Sequence, residues 1–398
     1  MEENVKKTVR DIDLTGKSVV TRCDFNVGIS NGEIEDDSRI VKAIPTIEYM
    51  LDKGAKVILL SHLGRPKGEP DKEFSLRPVA KRLGELLKRE VHFFSSQRVV
   101  DEDVKRKVSE LHEGEVCLLE NVRFRKEETD NDDAFSKELA SLGDVYVDDA
   151  FGTSHRAHAS TAGVAKYLPA VSGFLIEKEI KHLSIALKKP EKPFVLIVGG
   201  AKIPDKIGIL SNLLDKVDAI IIGGGMSYTF LKAKGYEIGQ SLLDEKNIEL
   251  ANNIMNAAGE KNVEVHLPVD VVVAEKIADD VETFEVDITD IPPDKMGLDI
   301  GIKTIKNFTE VIKNAKTAVW NGPMGVFELK PFENGTRKLA EAIAEADVCS
   351  IIGGGDSAAA VNKFGLSDKI THVSTGGGAS LEFLEGKVLP GIDVLEDL

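Results

Sequence analysis

Apolar runs of three to five residues recur along the whole chain. Each is followed by a polar or glycine-rich stretch and then by residues with helical spacing. In the first half the runs are Ser18–Val20, Lys56–Leu60, Val116–Leu119 and Val145–Val147. In the second half they are Phe194–Val198, Ala219–Ile222, Thr317–Trp320 and Cys349–Ile352. These runs are apolar throughout rather than alternating, as expected of parallel strands buried on both faces. The rhythm predicts an α/β fold with doubly wound, Rossmann-like parallel sheets. Between the halves, Phe174–Leu183 repeats apolar residues at three- and four-residue steps, the spacing of an amphipathic helix. Pro190 and Pro193 follow before the next strand. The expected organisation is a first lobe over residues 1–170, a linking helix over 171–188 and a second lobe from 189 to 377, with a central cleft.

In open α/β sheets, ligands bind beyond the carboxyl ends of the strands. In the first half those positions are polar and cationic: Thr21–Asn26, Ser61–Pro66, Glu120–Arg125 and Asp148–Arg156. Arg39 follows the turn-rich Asn31-Gly32. Guanidinium forks match carboxylate and phosphate oxygens, so arginines recurring after consecutive strands predict a cup for a small, multiply anionic molecule. In the second half the same positions are glycine-rich: Gly199-Gly200-Ala201-Lys202, Gly223-Gly224-Gly225, Gly353-Gly354-Gly355-Asp356-Ser357 and Gly376-Gly377-Gly378. Glycine lets backbone N–H groups approach phosphate oxygens, and a following helix N-terminus adds positive potential. The set predicts a polyphosphate site. Asp356 is the candidate Mg²⁺ ligand, because Mg²⁺ takes one or two carboxylates beside phosphate oxygens. A helix beginning at Pro204 would put Lys206 in its first turn, against the helix dipole, a placement that suits phosphate recruitment.

Composition narrows the partners. Lys and Arg number 51 against 67 Asp and Glu, a formal charge of −16, so nucleic acid and anionic membranes are not expected ligands. No apolar run reaches the roughly 18–20 residues of a membrane span, and Met1-Glu2-Glu3-Asn4 opens no signal peptide. Three scattered cysteines, Cys23, Cys117 and Cys349, suit a reducing cytoplasm. A Walker A motif, a protein-kinase catalytic loop and a G-x-S-x-G elbow do not occur. Gly353-x-Gly355-x-x-Ala358 fits a loose dinucleotide fingerprint, but the acidic ribose partner about 20 residues on has no counterpart, since Asp368 comes too soon and Glu382 too late. An oxidoreductase, or a nucleotide-sensing module without turnover, are the alternatives; NADH against Mg-ATP binding separates the first from a kinase.

These segments together resemble the phosphoglycerate kinase family over nearly the full length. The resemblance is carried by Asp24-Phe25-Asn26-Val27, Ser61-His62-Leu63-Gly64-Arg65-Pro66, Glu120-Asn121-Val122-Arg123-Phe124 and His155-Arg156-Ala157-His158-Ala159-Ser160. In the second half it is carried by Gly199–Lys202 with Asp205-Lys206, Met296–Gly301, Trp320–Glu328, Gly353–Asp356 and Ser374–Gly378. The resemblance implies 3-phosphoglycerate or 1,3-bisphosphoglycerate on the first lobe, held by Asp24, Phe25, Asn26, Arg39, His62, Leu63, Gly64, Arg65, Arg123 and Arg156. It implies Mg-ADP or Mg-ATP on the second, served by Gly200, Ala201, Lys202, Lys206, Gly224, Gly297, Asn321, Pro323, Glu328, Gly353, Gly354, Gly355, Asp356 and Ser357, with Asp356 on the metal. Arg39, Lys206, Gly376 and Gly377 would surround the transferring phosphoryl group. It further implies hinge closure with direct in-line transfer, a monomer, and a C-terminal segment, residues 378–398, that returns to the first lobe. Three departures stand out: Gly28 where the family usually has Pro, Ile203-Pro204 where it often has Val-Ser, and Ser357 for a frequent Thr.

Overall fold

The computed structural model describes residues 5–398. The chain divides into two compact units, residues 1–181 with 388–398, and residues 182–387. Each is built on a six-stranded, wholly parallel sheet. In the first unit the order across the sheet is Val91–Phe94, Val116–Leu119, Lys56–Leu60, Ser18–Cys23, Val145–Asp149 and Ala170–Ser172. In the second it is Glu264–His266, Ala219–Ile222, Phe194–Val198, Thr317–Asn321, Cys349–Gly353 and His372–Val373. The α/β reading with parallel sheets therefore holds.

The physical reason is visible in the burial. Val19, Val57, Leu59, Val116, Leu118, Val145 and Val147 face one helical layer, with Ile40, Ile47, Met50, Val79 and Leu83 packed on them. The intervening residues Val20, Ile58, Leu60, Cys117, Leu119 and Tyr146 are equally buried on the opposite face. In the second unit Val195, Ile197, Ile221, Trp320 and Ile352 meet Ile305, Phe308, Ile312, Leu339 and Ile343. With helices on both faces, neither side of a strand needs polar residues, so the runs are unbroken.

Each sheet reverses its direction of winding once. The reversal lies between Ser18–Cys23 and Val145–Asp149 in the first unit and between Phe194–Val198 and Thr317–Asn321 in the second. At such a point the loops leave in opposite directions and open a crevice at the carboxyl ends. The second unit also carries a three-stranded antiparallel sheet, Phe284–Asp287, Asp270–Ala274 and Met296–Ile300, that the doubly wound expectation did not include. Its outer strand is mostly exposed, so it lacks the apolar run that marks the others.

The linking helix runs from Phe174 to Lys188. Its start is pinned by side chains: Phe174 N–H donates to Thr46 Oγ1 at 3.0 Å and Leu175 N–H to Asp149 Oδ1 at 2.8 Å. The Phe174 ring meets Tyr49 edge-on at 5.1 Å, and Arg10 lies 4.1 Å above it. The C-terminal portion grouped with the first unit is Val388–Leu398; Gly378–Leu384 is a helix of the second. The return is held by backbone bonds, Lys7 N–H to Glu396 O at 2.8 Å, Glu396 N–H to Ala170 O at 2.9 Å and Gly391 N–H to Ser154 O at 2.8 Å.

Strand-borne aspartates repeat the capping device in the second unit. Asp270 accepts from Lys303 N–H at 2.9 Å and Thr304 N–H at 2.8 Å, and Asp299 from Gly335 N–H at 2.7 Å. Burial pushes the Asp299 carboxyl up to about 7 despite its backbone bonds to Gly335 and Ile300. The folded protein therefore binds more protons here than the unfolded chain between about pH 4 and 7, so this contribution to stability falls as pH rises through that window. In Asp299→Asn the urea midpoint, followed by the fluorescence of Trp320, the single and fully buried tryptophan, changes less between pH 5 and pH 8 than in the native protein. Equal changes in the two proteins would refute the assignment.

Candidate functional site

In the first unit, the strand-end residues are tied into one network. Asp24 pairs with Arg39 and accepts from Asn26 N–H at 3.2 Å. Asn26 Oδ1 accepts from Gly64 N–H at 2.8 Å, and the Gly64 carbonyl accepts from Arg123 NH1 at 2.9 Å. Arg123 is itself placed by Asn121, whose Oδ1 takes the Arg123 N–H at 3.0 Å while Nδ2 donates to the carbonyls of Leu63 at 2.7 Å and Phe74 at 2.9 Å. His62 is buried at the centre. Burial and the charges of Arg22, Arg123, Arg39 and Arg156 hold its imidazole well below its ordinary value, so it is neutral. Burial, with Arg22 and Arg156 adding to it, brings Arg123 down to about 10.

Those shifts place Arg39, Arg123 and Arg156, with Arg22, in the field of His62; Arg65 is not among them. Arg65 and Arg156 are exposed, and Arg156 Nε lies 3.1 Å from His155 Nε2. Phe25 and Leu63 are buried in the core, so their backbones alone border the cup; Phe25 N–H donates to Ser61 Oγ at 2.9 Å. Arg22 was not among the expected site residues, yet it is fully buried with its NH2 3.1 Å from His62 Nδ1. The signal was present: a lone arginine inside the apolar run Ser18–Cys23 needs a buried partner.

In the second unit, four strand-end loops are laced together at the reversal of the sheet. Gly199 N–H donates to Asn321 O at 2.9 Å, Gly200 N–H to Pro323 O at 2.9 Å, Gly224 N–H to Met324 O at 3.1 Å and Met226 N–H to Gly200 O at 2.8 Å. Ser357 Oγ accepts the Gly322 N–H at 2.6 Å, and Trp320 Nε1 donates to Gly322 O at 2.7 Å. Lys206 Nζ bonds Asn321 Oδ1. Burial lowers the Lys206 ammonium from its ordinary value, while the charges of Asp205, Asp356 and Glu385 oppose the shift. Lys206 therefore stands in the field of Asp356.

The expected helical start at Pro204 is a tighter arrangement. Pro204–Lys206 forms a single 3₁₀ turn and the α-helix proper is Ile207–Leu213, which leaves Lys206 at its N-cap position rather than within its first turn. Two longer loops feed helices as the spacing suggests: Gly353-Gly354 opens Gly355–Lys363, and Gly376-Gly377 opens Gly378–Leu384. Gly376 N–H turns back to Ser374 Oγ at 3.0 Å. Gly354 has φ +87° and a Cβ there would lie 2.7 Å from Asn321 Nδ2, a buried amide nitrogen with no protein acceptor.

The remaining expected residues are more loosely placed. Ala201, Lys202, Glu328 and Asp356 are exposed. Gly297 belongs to the antiparallel sheet, donates to Ser241 Oγ at 2.9 Å and borders the Tyr228 ring closely enough to exclude any side chain. Among the described residues no group of three or more His, Cys, Asp or Glu side chains is arranged to hold a metal ion. Asp356 is a single exposed carboxylate in the first turn of Gly355–Lys363, a donor set that fits Mg²⁺ only when water and phosphate oxygens fill the other positions.

A family profile described as phosphoglycerate kinase matches residues 9–387. The chain belongs to the phosphoglycerate kinase family. It is 58% identical to the phosphoglycerate kinase of Clostridium botulinum (strain Okra / Type B1) over 98% of this chain and 99% of that protein. It is 57% identical to that of Clostridium tetani, covering 98% of both. The solved phosphoglycerate kinase of Coxiella burnetii superposes with a TM-score of 0.89 at 45% identity, and that of Pyrococcus horikoshii OT3 with 0.84 at 33%, each covering 98% of both chains.

The strand-end loops of the second unit pack closely. Gly322 has φ +100°, and a Cβ there would overlap the Gly199 carbonyl. Gly322→Ala is expected to cost about 2 kcal/mol or more in urea unfolding. Gly259→Ala, inside the helix Ile248–Glu260 with open space around it, is expected to be neutral or stabilising. Equal losses at the two positions would sink the argument.

Proposed function

We propose that the chain transfers the acyl phosphate of 1,3-bisphosphoglycerate to Mg-ADP, giving 3-phosphoglycerate and ATP, and runs the reverse reaction. In this reading Asp24, Asn26, Arg39, His62, Arg65, Arg123 and Arg156 bind the glycerate and its phosphate, with the Phe25, Leu63 and Gly64 backbones beside them. Gly200, Ala201, Lys202, Lys206, Gly224, Gly297, Asn321, Pro323, Glu328 and Gly353–Ser357 serve the nucleotide. The observation that carries the reading is the pairing of two chemically opposite strand-end sites: a cluster of arginines around a neutral histidine in one unit, and a half-buried lysine among glycine loops in the other.

The chemistry asks little of the protein in proton transfer. The acceptor in the reverse direction is a carboxylate, ionised at pH 7, so no general base is needed. Catalysis then rests on in-line positioning and on neutralising charge over the transferring oxygens. Arg39 and Lys206 supply that charge, with N–H groups near Gly353–Gly355 and Gly376–Gly377. Asn26 and Arg123 keep the glycerate in register through the Gly64 backbone they share. A Mg²⁺ ion held through Asp356 would shield the nucleotide phosphates. Closure about the linking helix, action as a monomer and a cytoplasmic location are part of the proposal; no helix among the described residues is long and apolar enough to cross a membrane.

The deciding assay is ATP formation from 1,3-bisphosphoglycerate and Mg-ADP with purified protein; its absence in fully folded enzyme overturns the reading. Arg39→Ala is expected to lower kcat by roughly 10²–10³-fold while nucleotide binding is kept. Arg65→Ala, exposed and free to contact both ground and transition states, is expected to raise the KM for 3-phosphoglycerate with kcat nearly unchanged. An Arg65 effect confined to the KM for ATP would contradict its placement.

A further inference from the structure

Behind the arginine cup lies a chain of buried polar groups to which no role has been given above. It begins at Glu128, fully buried in the short helical turn Lys126–Thr129. Glu128 Oε2 accepts the Ser160 N–H at 2.9 Å and Oε1 accepts the Ser160 hydroxyl at 2.7 Å. Ser160 Oγ accepts from Arg22 Nε at 2.8 Å. Arg22 NH1 donates to the Cys23 carbonyl, and NH2 lies 3.1 Å from His62 Nδ1. Tyr146 Oη pins the same segment by donating to Ser160 O at 2.8 Å and Thr161 O at 3.2 Å. Glu128, Ser160, Arg22 and Tyr146 are all fully buried, and His62 is 4% exposed.

The direction of every bond in this chain is forced. A guanidinium has donors only. The Ser160 hydroxyl has one proton; with Arg22 Nε donating to its oxygen, that proton is free to go to Glu128. The His62 nitrogen that faces Arg22 must accept, so it carries no proton. A neutral imidazole then holds its proton on the other nitrogen, Nε2. Burial and the charges of Arg22, Arg123, Arg39 and Arg156 keep the ring from taking a second proton. Glu128 remains charged: burial opposes that, but His158, whose Nδ1 is 3.6 Å away, Arg22 and Ser160 bring its carboxyl below its ordinary value. A buried carboxylate thus meets a buried guanidinium through a serine hydroxyl rather than face to face.

We propose that Glu128 is a positioning residue for the phosphoglycerate reaction: through Ser160 it orients Arg22, and Arg22 fixes His62 as the Nε2–H tautomer, so that the histidine offers a donor and never an acceptor to an anionic glycerate. The opposite tautomer would present a lone pair to carboxylate or phosphate oxygens and repel them. The identity of the ligand rests on the proposed function, whereas the tautomer does not.

The test is ¹⁵N NMR of the His62 side chain in the full-length protein, together with steady-state kinetics. Native protein is expected to show an unprotonated Nδ1 and a protonated Nε2 from pH 5.5 to 8. Glu128→Gln, whose one carbonyl oxygen and one NH2 group cannot accept both the Ser160 N–H and the Ser160 hydroxyl on separate atoms, and Ser160→Ala, which removes the acceptor for Arg22, are expected to give mixed tautomers. Both are expected to raise the KM for 3-phosphoglycerate about tenfold, with kcat within about twofold and the KM for Mg-ATP unchanged. Ser160→Thr, which keeps the hydroxyl, is expected to restore the native tautomer and most of the affinity. If Glu128→Gln fails to fold, the comparison of Ser160→Ala with Ser160→Thr decides alone. A proton on Nδ1 in native protein, or a native tautomer and KM in Ser160→Ala, overturns the proposal. An Nε2–H ring in a folded protein that forms no ATP leaves the tautomer assignment standing and removes the reading of the ligand.

Discussion

Gathering like charge at one end of a sheet is the constraint on which the first unit depends. Four arginines lie in the field of a single buried histidine, in a chain whose overall charge is −16. Net charge therefore says little about the local potential, which is set by groups within a Debye length of about 8–10 Å. The cost of assembling the cup falls on its innermost member. Among the described residues Arg22 has no direct carboxylate partner at hydrogen-bond distance; it bonds a hydroxyl, a carbonyl and an imidazole nitrogen. The compensating charge sits one serine away, on Glu128. Removing one member of such a network strands the others, because an unpaired buried charge costs several kcal/mol.

The strand-end loops of the second unit are organised differently. Its loops approach so closely that backbone is bonded to backbone across the reversal of the sheet, Gly200 to Pro323, Gly224 to Met324 and Met226 to Gly200. Side chains would block those approaches. At Gly199, Gly223, Gly224, Gly322 and Gly354 the glycine is thus a packing requirement, whereas a Cβ at Gly200, Gly355 or Gly377 would meet open space. The half-buried Lys206 is held by a neutral amide oxygen, and among the described residues it forms no salt bridge.

Much of this was legible in the sequence because burial on both faces writes parallel strands as unbroken apolar runs. All eight runs read from the sequence are strands, and the helix expected over 171–188 runs from Phe174 to Lys188. The edge strands Val91–Phe94, Ala170–Ser172, Glu264–His266 and His372–Val373 were not legible. They are short, and three contain histidine where an interior strand has Val or Ile. The antiparallel sheet escaped for a related reason: Phe284–Asp287 alternates with charged residues because it lies mostly in solvent. Among candidate site residues, those following a strand by one to four positions were readable from topology alone. Glu128 and Ser160 were not, since a buried polar partner can lie anywhere in the chain; Arg22 lies in the strand-end stretch Thr21–Asn26, but its partner Ser160 is 138 residues away.

The aspartates that join sheet to helix link the two kinds of site to the frame. Asp149 ends the strand beside the first sheet's reversal and caps the linking helix at Leu175. In the register of that strand pair, Cys23 faces Asp149 and Arg22 faces Asp148. The buried arginine of the cup and the cap of the helix are therefore carried on one pair of neighbouring strands, one register position apart. Asp299 plays the same part for Asn334–Glu345, whose Thr336 hydroxyl in turn accepts the Met324 N–H at 3.0 Å. Met324 follows Pro323 in the loop that closes on Gly200 and Gly224. In both units, then, a displacement at a strand-end loop has a short bonded route to a helix start, because a residue at or next to the end of a strand also supplies the cap.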